Sequence, residues 1–155
     1  MRICAWIACL LCIPACVVGS EDYADWIRIR YIGSQDAPIP TIYITTAHMD
    51  FDDSTEMLID VVLSSAEYET VFSNLRQFKA ERRSLLVTDD FGTLAVSHSA
   101  YGVEHLLFTI SRPDSCDLLE AIVGSQHSES LNLLREVTIY TGRRIGCPGE
   151  AFEQP

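Results

Sequence analysis

His98 and His105 flank a short turn signal, Ala100-Tyr101-Gly102, so two strands folded back on each other would bring them face to face. Glu104 and either Ser97 or Ser99 would lie close by. Serine, histidine and acid in proximity are the parts of a nucleophilic hydrolase. The run Ser97-His98-Ser99 lacks the glycines of a nucleophile elbow, however, and reads first as a structural histidine pair. A second cluster, His48, Asp50, Asp52, Asp53 and Glu56, crowds one loop. A hard cation takes several oxygen ligands from such a loop, but this spacing has neither the glycine nor the distant glutamate of an EF-hand. It reads as a solvated acidic loop rather than a metal site. Asp89 and Asp90 form another acidic projection, at a turn closed by Gly92. Carboxylates on turns accept paired hydrogen bonds from arginine, so Asp50, Asp52, Asp53, Asp89 and Asp90 are the candidate contacts to a partner. Zinc-protease, phosphate-loop and dinucleotide motifs do not occur, and no cofactor, metal or catalytic residue is expected.

Cysteine chemistry depends on the N-terminus. Four of the six cysteines fall within the first sixteen residues, in a run from Ile3 to Val18 that carries no charge. Arg2 ahead of it and Gly19-Ser20 behind it complete the pattern of a secretory signal peptide over residues 1–19. The run is shorter than the roughly 20 residues a spanning helix needs. Cleavage would leave Cys116 and Cys147, a pair suited to one disulfide in an oxidising compartment. There is an alternative at Cys16: Ile13-Pro14-Ala15-Cys16 resembles a bacterial lipoprotein box, which would acylate that cysteine and anchor the chain to a membrane. Pro14 departs from the box.

The elements that must position these groups follow from periodicity. Alternation over 25–33, β-branched residues over Thr41–Thr46 and an apolar run over Met57–Leu63 predict three strands. Ser64 followed by Glu67 is a capping box, and Tyr68, Val71, Phe72, Leu75 and Phe78 recur at helical spacing to about Ala80. Ser84–Asp89, Thr93–Ser99 and Val103–Ser111 predict three more strands. Pro113 opens a helix that Gly124 ends. Ser128 can cap another through Leu131, Leu134 and Val137, although Val137–Thr141 has the composition of a strand. The two halves read alike, as β-β-β-α repeats: Thr41–Thr45 aligns with Thr93–Ser97, and Val71, Phe72 and Leu75 with Leu118, Leu119 and Ile122. Residues 20–155 are therefore expected to form a single α+β domain, with an antiparallel sheet of about six strands and helices packed on one face.

Charge decides among partners. The 155 residues hold 22 Asp and Glu against 11 Lys and Arg, for a net charge of −11. Nucleic acid needs a basic stripe and is excluded as an expectation. The expected protein is an exported acidic module, secreted or periplasmic, that binds a basic protein. By size, charge and location it is analogous to periplasmic immunity proteins and inhibitors of cell-wall hydrolases. A small secreted hydrolase using His98 or His105 with a nearby acid is the alternative, as is an envelope lipoprotein anchored at Cys16.

Overall fold

A computed structural model describes residues 25–33, 38–50, 57–82, 93–125 and 127–148. Alternating residues make the first strand, β1 (Trp26–Ile32), half-buried: Ile27 and Ile29 lose all contact with water while Arg28 and Arg30 project to the other side. β2 (Thr41–Thr45) does the same with Ile42 and Ile44. β3 (Leu58–Val62), β4 (Thr93–Ala100) and β5 (Val103–Ser111) complete a five-stranded sheet in the order β3-β2-β1-β4-β5. Burying each of the large aliphatic residues contributes about 1.5–3 kcal/mol. The core face is built from Ile27, Ile29, Ile42, Ile44, Val61, Leu94, Val96, Phe108 and Ile110.

Two expectations are corrected here. The sheet is mixed rather than antiparallel, because β2 and β3 run parallel, with Thr41 opposite Leu58 and Thr45 opposite Val62. The twelve residues between them, 46–57, give the chain the length to cross back and start again at the same end. The sheet also has five strands where six were expected; the strand expected over Ser84–Asp89 lies outside the described residues. The aligned halves do not repeat in space. β2–β3 is a parallel pair, whereas its counterpart β4–β5 is an antiparallel hairpin.

Three helices cover the core face. α1 (Ser65–Glu81) begins at the expected capping box, with Ser64 and Glu67 satisfying each other's backbone N–H. α2 (Arg112–Val123) carries proline in its first turn and ends at Gly124. α3 (Glu129–Ile145) resolves the open assignment of 128–141 in favour of a helix. α2 lies between the other two and over β4 and β5; α3 packs beside β3. Phe78 of α1 stacks on Phe108 of β5, with ring centroids 6.2 Å apart.

Two devices lock this layer. Glu67 accepts from the Ser64 backbone N–H at 2.9 Å and also from the Ser128 hydroxyl, so one carboxylate joins the N-termini of α1 and α3. These hydrogen bonds, that of Ser128 foremost, hold its pKa below the ordinary carboxylate value. At the other end, Cys116 of α2 and Cys147, just past α3, lie with Cα atoms 5.6 Å apart and their sulfur atoms at disulfide distance. No described helix is long and apolar enough to cross a membrane.

Candidate functional site

The β4–β5 hairpin is closed by two residues. Ala100 pairs with Val103, leaving Tyr101 at φ 54° and Gly102 at φ 74°. Two consecutive positive φ values define the type I′ turn, whose twist suits a hairpin. Asparagine, aspartate and glycine adopt the first position cheaply; a tyrosine held there costs about 1–2 kcal/mol. Tyr101 is also 95% exposed. Val103 (56%) and Leu106 (41%) are also exposed, on opposite faces of the hairpin, and every residue from Tyr101 to Leu106 is exposed. An aromatic ring gains nothing for the fold in that position.

Partway along the hairpin the register slips. Val96 pairs with Phe108 but Ser97 pairs with Leu106, so Leu107 is the extra residue of a β-bulge. Its carbonyl accepts a hydrogen bond from Lys79 of α1, the only lysine in the chain. The bulge changes which residues face the helices. Phe108 and Ile110 are buried under them on one side of it; on the other, His105, opposite His98, takes that face of the strand and stays exposed.

His98 and His105 do meet, with ring centroids 5.5 Å apart, and Phe72 of α1 packs edge-on against His98 at 5.3 Å. The serines and the glutamate do not join them. Strand alternation sends Ser97 and Glu104 to the opposite face of the sheet, where the Ser97 hydroxyl donates to Glu104 at 2.6 Å and Arg28 closes a salt bridge to the same carboxylate. Ser99, also one residue from His98, shares the face of Ser97. The hairpin therefore does not assemble a serine–histidine–acid relay. Arg28 also lies over Trp26, whose ring meets Tyr43 edge-on. The helix-free face is thus a polar and aromatic network.

The acidic residues expected to touch a partner divide in two. Asp50 is exposed. Asp52, Asp53, Asp89 and Asp90 lie outside the described residues. His48 turns toward Asp60 rather than toward Asp50, 3.4 Å from its carboxylate, which also accepts from Thr45 at 2.8 Å. Among the described residues, no three His, Cys, Asp or Glu side chains converge in a way that could hold a metal ion.

Strand register places several exposed groups at one end of the sheet. Thr45 lies opposite Trp26, and Ile27 opposite His98. The exit of β2 toward Asp50, the start of β1 at Asp25 and the β4–β5 hairpin therefore share that end. The helix start at Ser64 follows from the same end of β3, since Val62 lies opposite Thr45. Burial holds the Tyr68 hydroxyl proton well beyond its ordinary range, and the negative charges of Asp25 and Glu69 reinforce it. Asp25, Asp50 and Glu69 are all exposed and make no ion pair among the described residues. Sequence reading identified the 100–102 turn but not its tyrosine as a surface feature. The signal was available, in an aromatic residue where asparagine is usual.

The chain matches no protein-family model, no curated protein and no solved structure.

Proposed function

We propose that this is an exported protein-binding module that docks through the tip of its β4–β5 hairpin and neutralises a basic enzyme or toxin, such as a cell-wall hydrolase. The observation that carries this reading is Tyr101, fully exposed and held in a left-handed conformation that costs stability. Strain kept at a surface position points to a use outside the fold. Tyrosine is also among the residues that most often dominate binding energy at interfaces. Val103 supplies exposed apolar area two residues from the ring, and Asp25, Asp50 and Glu69 at the same end supply negative charge. That pairing favours a partner with a basic surface around an apolar pocket. Export is supported by the uncharged leader at Ile3–Val18 and by the cysteine pair.

The test is to immobilise wild-type protein and Tyr101→Asn and expose both to the extracellular or envelope fraction of the source cells. Asparagine keeps the turn and relieves the strain, so the variant should be about 1 kcal/mol more stable. The wild type should retain a basic protein, which the variant binds about 30-fold more weakly, as at a hot spot worth about 2 kcal/mol. The retained protein should lose activity when the wild type is added. Equal retention by both proteins, or a retained partner that is acidic, would overturn the reading.

A further inference from the structure

A groove of about 650 Å³ runs between α1 and the β4–β5 hairpin, lined by Phe72, Arg76, Lys79, Ala80, His98 and Leu107. Its volume falls within the range of small-molecule sites. The composition of its wall runs against that of the molecule. In a chain with twice as many acidic as basic residues, the described lining holds an arginine, a lysine and a histidine and no carboxylate. Their donors are largely unspent. Arg76 makes no hydrogen bond or ion pair among the described residues, and its guanidinium has five N–H groups. Lys79 commits one of three N–H groups to the Leu107 carbonyl. His98 is held by ring contacts with Phe72 and His105, and its nitrogens make no hydrogen bond among the described residues.

The rest of the lining is apolar: Phe72, Ala80 and Leu107. Cationic donors at the rim and an aromatic ring in the wall specify two things about an occupant: an acid group and a flat apolar body. We propose that this groove binds a small aromatic carboxylic acid. The carboxylate pairs with Arg76, where the planar guanidinium can donate two parallel hydrogen bonds, and Lys79 adds a second positive charge. The ring system lies along Phe72 and Leu107. The site is distinct from the hairpin tip and does not depend on the proposed partner.

The probes are 1-naphthoate and its uncharged counterpart, 1-naphthamide, titrated into isotope-labelled protein and followed by amide NMR. Naphthoate should shift signals of Phe72–Ala80 and His98 and bind about tenfold more tightly than naphthamide, which removes the negative partner of the charge-assisted pair. Arg76→Gln, a change on an exposed helix position, should weaken naphthoate about tenfold and leave naphthamide unchanged. Arg144→Gln, on the far end of α3, controls for net charge and should bind naphthoate as the wild type does. The proposal is overturned by equal affinity for acid and amide, by equal losses in the two variants, or by an absence of shifts at millimolar probe.

Discussion

Breaking the link between Cys116 and Cys147 should cost the fold close to 4 kcal/mol. The two residues are separated by 31 positions. In the chain-entropy model, freeing a loop of that length returns about 12 cal/mol/K to the unfolded state, or roughly 3.7 kcal/mol at 25 °C. With about 2.1 cal/mol/K of unfolding entropy per residue over the roughly 120 residues from Asp25 to Pro148, the thermal midpoint should fall by about 14 °C. The comparison is between oxidised protein and Cys116→Ala/Cys147→Ala, with reduced wild type as a third sample. Alanine is preferred to serine because Cys147 is buried and a hydroxyl there would need a partner. Urea titration adds an independent readout. An unfolded chain without the crosslink exposes more surface, so the slope of stability against urea should rise in the variant. A midpoint shift below about 4 °C with an unchanged slope would refute the reasoning, because the bond would then not be restricting the unfolded ensemble.

Two further changes test the helical layer. Thr141 is 1% exposed, and its buried hydroxyl has no hydrogen-bond partner among the described residues. Thr141→Val keeps the shape and removes the orphan, so chemical denaturation should show a gain of about 1 kcal/mol. Glu67 is a pH-dependent clasp: its pKa is lowered in the folded protein, so its contribution is complete above the ordinary value of 4.5 and disappears as acid protonates the folded state below it. Glu67→Gln keeps a capping-box oxygen but makes its hydrogen bonds neutral, so it should lower stability at neutral pH by about 0.5–1 kcal/mol and flatten the fall in stability below pH 4.5. Parallel curves for the two proteins through that window would argue against the clasp.

Most element boundaries could be read from the residues, because each carried a local signal. The capping box at Ser64 and Glu67 marked the start of α1, and Gly124 marked the end of α2. The ambiguity at Val137–Thr141 is different in kind. Its β-branched residues favour a strand locally, but Leu131, Leu134, Thr138, Thr141 and Ile145 recur every three or four positions and are all buried. Packing of that face outweighs propensities of a few tenths of a kcal/mol per residue. The direction of β3 was not legible at all. Alternation says which residues face the core and nothing about which way a neighbouring strand runs, and Ile59 and Val61 would suit either pairing. The candidate acidic contacts, Asp50, Asp52, Asp53, Asp89 and Asp90, stand out only by charge density on turns. Charge density says which residues meet solvent; it does not say where an apolar anchor stands among them.

The bulge at Leu107 connects the two surfaces proposed to bind ligands. Val103–Ser111 contains three successive apolar residues, Leu106, Leu107 and Phe108, where strict alternation would allow only every second one to face the core. The extra residue absorbs the misfit. It keeps Phe108 and Ile110 under the helices and lets the strand continue past them with its phase reversed. Past the contact of Phe72 with His98 the hairpin runs beyond the helical layer, so Val103 stays exposed and Tyr101 is carried out to the tip, while Leu106, opposite Ser97, faces away from the helices. Lys79 fixes the slip by occupying the carbonyl that the bulge releases, which also draws its ammonium into the wall of the groove. A single added residue in one strand therefore produces both an overhanging hairpin with unburied apolar side chains and, beneath it, a recess where positive charge collects in an acidic protein.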